Sequence, residues 1–197
     1  MAHCNSMDHK IFRRAAGALS RRFTVYCPDT RGHGRSENVK TLHYEDMAED
    51  MYRFITRLGL EKPVYYGFSD GGVTGLILAA RHPDLLSALI VSGASLRPDS
   101  TKDLPLRFFR LWSHVDRSDK MGIMLREPDI TDDMLRAISV PTFVTAGERD
   151  LIKEEHTRHI AATVPGAELK IFPDTGHGGY IMNSTRIADY ILSVIPE

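Results

Sequence analysis

The sequence predicts an α/β fold built on a mostly parallel, doubly wound sheet, and three observations carry that expectation. Short β-rich apolar runs alternate with helical patterns, one run (ALIVS) is apolar without alternation, and a glycine-rich turn leads from one run into a helix. A continuously apolar strand fits burial on both faces, which requires helices on both sides of the sheet.

Taken in order, the chain begins with the polar stretch MAHCNSMDHK, followed by a helical pattern over residues 11–22 and a strand over 23–27 (FTVYC). Residues 44–58 place Met47, Met51, Ile55 and Leu58 on one helical face. Residues 63–67 (PVYYG) form the next strand, 72–81 a helix, and 86–92 (LSALIVS) the third strand. Residues 141–146 (PTFVTA) and 168–172 (ELKIF) complete five strands, with helices over 154–164 and 185–194. Between the third and fourth strands, residues 97–139 show no strand pattern, only helical pieces near 104–112, 121–126 and 132–138. Apolar residues there (Leu106, Phe108, Phe109, Leu111, Trp112, Met121, Met124) argue against disorder, so the segment reads as a small lid.

Composition bounds the function. The 197 residues are 42% hydrophobic and 26% charged, which suits one globular domain over 1–197 with the lid inserted at about 97–139. A formal net charge of -1 gives no field toward nucleic acid or an anionic membrane surface. No apolar run approaches the roughly 20 residues of a membrane-spanning helix. Nucleic-acid and membrane partners are therefore not expected, and the ligand is a small molecule. Cys4 and Cys27 form neither a disulfide framework nor a four-ligand zinc site, and the first ten residues carry no secretion pattern. A cytoplasmic location without metal is the expectation.

The chemistry centres on Gly67-Phe68-Ser69-Asp70-Gly71-Gly72, a G-x-S-x-G pattern where a strand ends and a helix begins. A sharp turn there projects Ser69 above the sheet, next to backbone N–H groups at the helix N-terminus. Serine needs a base oriented by a carboxylate. Asp150 follows the strand PTFVTA, and His177 lies in the glycine-flanked loop after ELKIF. The order Ser, Asp, His, each beyond the C-terminal end of a parallel strand, fits nucleophilic acyl transfer with no cofactor. Glu148 is the alternative acid.

These motifs, together with Pro28-Asp29-Thr30-Arg31-Gly32-His33-Gly34-Arg35-Ser36, resemble the α/β-hydrolase family and its D-x-R-G-x-G-x-S turn. The likeness covers nearly the whole chain. It implies a serine hydrolase of small carboxylic esters, with Ser69 as nucleophile, His177 as base and Asp150 as orienting acid. Residues 2–8 (AHCNSMD) are similar to the family's H-G-x-x oxyanion loop, with Cys4 in place of glycine, which assigns the oxyanion donors to the backbone of Asn5 and Asp70. The likeness also implies that the chain begins at the end of the family's third strand and lacks the first two. The open edge would then be closed by re-pairing of FTVYC with PVYYG or by another copy in a homodimer or higher homo-oligomer. GFSDGG is similar to the elbow of the valacyclovirase-like esterases, in which the aspartate favours amino-group substrates. Asp70 is read either that way or as a helix N-terminal charge. Phe109, Trp112 and Met124 of the lid are the expected substrate-pocket residues. An aminopeptidase, a lactonase and a catalytically impaired binding protein share these features and stand as alternatives.

Overall fold

A computed structural model describes residues 1–115 and 118–196. Four strands, β1 (Val64–Phe68), β2 (Ala88–Ser92), β3 (Thr142–Arg149) and β4 (Glu168–Gly176), form one parallel sheet in the order β1-β2-β3-β4. The helices are α1 (Arg13–Leu19), α2 (Tyr44–Arg57), α3 (Asp70–Arg81), α4 (Asp103–Trp112), α5 (Asp119–Arg126), α6 (Asp132–Arg136), α7 (Glu154–Thr163) and α8 (Arg186–Val194). Parallel neighbours need crossovers, supplied by α3 between β1 and β2 and by α7 between β3 and β4. Residues 97–139 carry α4, α5 and α6 between β2 and β3, where the lid was expected.

Two apolar clusters sandwich the sheet. Every residue of β2 is buried, and its side chains alternate between them. Ala88 and Ile90 join Phe12, Leu19, Ile187 and Ile191, whereas Leu89 and Val91 join Met47, Met51, Leu76 and Ile160. Helices α1 and α8 thus cover one face and α2, α3 and α7 the other, the doubly wound arrangement. In α2, Met47, Met51 and Ile55 recur at four-residue spacing and are buried, while Glu45 and Asp46 in the first turn complement the helix dipole.

Two strands run further than their hydrophobicity predicts. The apolar pattern stops at Ala146 and Phe172, yet the ladder continues through a register shift at Gly147/Arg149 to pair Arg149 with Gly176. The polar extension places the residues that follow, Asp150 and His177, side by side.

The fifth expected strand is corrected. Residues 23–27 (FTVYC) belong to no ladder and do not re-pair with β1. Between them and β1 the chain supplies a single strand-like residue, Ala2, bridged in parallel to Gly67. Its N–H donates to Tyr66 O at 2.8 Å, and its O accepts from Phe68 N at 3.0 Å. The Met1 ammonium donates to Tyr26 O at 2.7 Å. Beyond these contacts lies an apolar cavity of about 390 Å³ lined by Leu19, Phe23, Val25, Phe54, Ile55 and Tyr65. The β propensity of FTVYC is real, but without a neighbour it gives an extended segment and no strand.

Candidate active site

Ser69 stands between β1 and α3 with φ 53° and ψ −113°, a strained conformation for a residue with a side chain. Close packing enforces it. A Cβ at Gly67 would lie 2.1 Å from Gly71 O, and one at Gly71 would lie 2.1 Å from Ala2 O. The Ser69 N–H donates to Ser92 O at 2.8 Å, fixing the turn to the end of β2. Ser69 itself remains partly exposed.

Asp150 is 4% exposed, and both its oxygens are engaged. Oδ1 accepts from Ile152 N at 3.0 Å and from His177 Nδ1 at 2.7 Å, and Oδ2 accepts from Gly147 N at 3.2 Å. Burial alone would raise this carboxyl's pKa. The bonds and charge of His177, with the two backbone donors, outweigh it and hold the pKa below the ordinary value. A carboxylate only accepts, so the contact assigns the proton to Nδ1 and leaves Nε2 as the acceptor. The expected alternative acid, Glu148, is exposed and accepts from Asp174 N on the surface instead.

Two residues that sequence reasoning missed seat the imidazole. The Phe68 ring lies 4.8 Å from that of His177, centroid to centroid. Gly93, at φ +57°, runs beneath the ring, where a Cβ would meet His177 Cε1 at 2.7 Å. A glycine directly after the apolar strand ALIVS was the available signal. The imidazole is thereby held between the acid and the residue preceding Ser69.

The Asp70 carboxyl points into the protein. It is 6% exposed and accepts from Asn5 Nδ2 and from Tyr44 Oη, each at 2.9 Å. Burial pushes its pKa up to about 6, against the opposing hydrogen bonds of Asn5 and Tyr44 and the charge of His177. Asn5 Nδ2 also donates to Lys120 O at 2.9 Å, tying the N-terminal loop to α5. The backbone amides of Asn5 and Asp70 donate to no other group among the described residues. Burial, and then the nearby Asp70, push the Cys4 thiol up to about 12, which removes it as a nucleophile. Of the expected pocket residues, Met124 packs against the core, Phe109 is half-buried and Trp112 is 48% exposed. Among the described residues no cluster of His, Cys, Asp or Glu comes together as a metal site.

The family model for the alpha/beta hydrolase fold matches residues 1–121, which include the Ser69 turn. The chain belongs to the alpha/beta hydrolase fold family. Among its relatives in this hydrolase family is the AB hydrolase superfamily protein YisY of Bacillus subtilis, 26% identical, with 94% of this chain and 86% of that protein covered. Another is the mouse serine hydrolase BPHL, 25% identical, with coverage of 86% and 67% respectively. A thermophilic esterase from Thermogutta terrifontis superimposes with a TM-score of 0.78 at 24% identity, over 98% of this chain and 86% of its own, and shows that the fold is shared.

Proposed function

We propose that this alpha/beta hydrolase is a serine esterase cleaving small carboxylic esters. The observation carrying the proposal is the 2.7 Å hydrogen bond from His177 Nδ1 to the buried Asp150, in an imidazole packed against the residue before Ser69. Ser69 Oγ attacks the ester carbonyl as His177 Nε2 takes its proton. Asp150 holds the tautomer and stabilises the imidazolium. The backbone N–H groups of Asn5 and Asp70 receive the oxyanion, His177 returns the proton to the departing alcohol, and water then releases the acid by the reverse sequence. Phe109 and Met124 stand as the proposed lid contacts to substrate, whereas Trp112, the third expected pocket residue, faces outward against Phe108. The proposed occupant of the site is a small neutral ester, because the Asp70 carboxylate is already engaged by Asn5 and Tyr44.

The test is turnover of a p-nitrophenyl ester series from acetate to octanoate, with an amino-acid ester and a lactone alongside. Ester turnover lowered at least about a thousandfold by Ser69→Ala is the expected result. No turnover, and no labelling of Ser69 by a fluorophosphonate, would assign the chain to the binding class. Preference for the amino ester or for the lactone would select the aminopeptidase-like or lactonase reading.

A further inference from the structure

We propose that helix α4 is an interfacial helix that docks the protein onto anionic lipid surfaces. Five of the ten exposed large hydrophobic residues among the described residues fall within residues 104–115: Leu104, Phe108, Leu111, Trp112 and Val115. Their spacing, i, i+4, i+7, i+8 and i+11, places them along one side of the helix and the turn that continues it. Leu104, Leu111 and Val115 are each at least 70% exposed, whereas Leu106 is the buried residue of the helix. The Phe108 and Trp112 rings stack at 5.9 Å, forming an aromatic plate on that face. A contiguous apolar stripe of this kind marks an interaction surface.

Charge selects the occupant. Arg107 borders the stripe, and Lys102 and Arg110 stand on the same segment against the single Asp103, so this segment is basic within a chain of net charge -1. None of the three cations forms an ion pair among the described residues. An apolar face carrying Trp, Phe and Leu beside unpaired Lys and Arg has the composition of a helix lying in a lipid headgroup region. Area argues against a second copy. A ten-residue helix is about 15 Å long, and one face of it falls well short of the roughly 800 Å² per partner of a stable protein interface. Lipid needs no such closed interface. Charge averaged over the whole chain hides this patch, and so the sequence reading expected no membrane partner. At its base, Lys102 N donates to Leu151 O at 2.9 Å, so α4 starts beside the Asp150 loop.

Trp112 is the only tryptophan in the chain and serves as the probe. Emission and co-sedimentation are measured with vesicles of phosphatidylcholine alone and of phosphatidylcholine with phosphatidylglycerol. The expected result is a blue shift and pelleting that favour the phosphatidylglycerol vesicles and weaken with salt. Replacing Arg107 and Arg110 together by Gln lowers partitioning about 25-fold, about fivefold for each charge. Leu111→Ser, at an exposed position that leaves the fold intact, lowers it about tenfold on either vesicle. Neither a shift nor pelleting at saturating lipid would overturn the proposal. Equal binding to both vesicles, insensitive to the Arg variants, would overturn the anionic specificity. A blue shift on concentrating the protein without lipid, with doubled mass, would assign the face to a second copy.

Discussion

Glycine at position 93 illustrates how one missing carbon positions a reactive group. Gly93→Ala would drive a Cβ into the His177 ring and hold a side chain at positive φ, so kcat is expected to fall about a hundredfold while the melting temperature changes by a few degrees. Ester kinetics beside calorimetry checks this. Asp70 gives a second prediction at the same scale. Its folded pKa of about 6 exceeds the ordinary 3.8, so the unfolded state loses its proton first and stability falls as pH rises from about 4 to about 6. Relative to Asp70→Asn, the wild type should lose about 3 kcal/mol across that window, measured by urea unfolding at each end. The places of Ser69, Asp150 and His177 beyond the strand ends were legible in the sequence, because each follows a strand that its own residues announce. Gly93, Phe68 and Tyr44 were not, since their roles come from contacts between segments far apart in the chain.

Among the elements, α5 shows how the segment over residues 97–139 is fastened. The Asp119 carboxylate accepts from Leu42 N at 2.7 Å and from both Arg126 amino groups at 2.9 and 2.8 Å. Glu127 accepts from Tyr44 N at 3.0 Å and from His43 Nδ1 at 2.6 Å. Asp119→Ala frees a partly buried amide and an arginine together. Limited proteolysis within residues 97–139 is expected to accelerate several-fold, with a loss of about 1–2 kcal/mol in global stability. Hydrophobic period located α4, α5 and α6 to within two residues, because each buries at least one apolar side chain. It misjudged the strand ends, where pairing continues through polar residues, and it made a strand of FTVYC, whose propensity finds no neighbour.

For the molecule as a whole, the sheet meets the candidate oxyanion loop at one residue. Ala2 is held by two backbone hydrogen bonds to β1, its carbonyl lies against Gly71, and Asn5 follows three residues later. Opening of that short contact together with the side-chain bonds of His3 and Asn5 releases the loop while the core formed by β2, α3 and α8 stays intact. Activity is therefore the average over a population in which only the closed fraction carries a complete site. Warming depletes that fraction before it melts the protein, so ester turnover should decline several degrees below the calorimetric midpoint and recover fully on cooling. Hydrogen exchange gives the same clock a second reading: the Phe68 amide, bonded to Ala2, should exchange far faster than that of Ile90 in the centre of the sheet. Heat sensitivity of the proposed esterase activity is then set at the sheet's edge, and a stronger core would leave its working temperature unchanged.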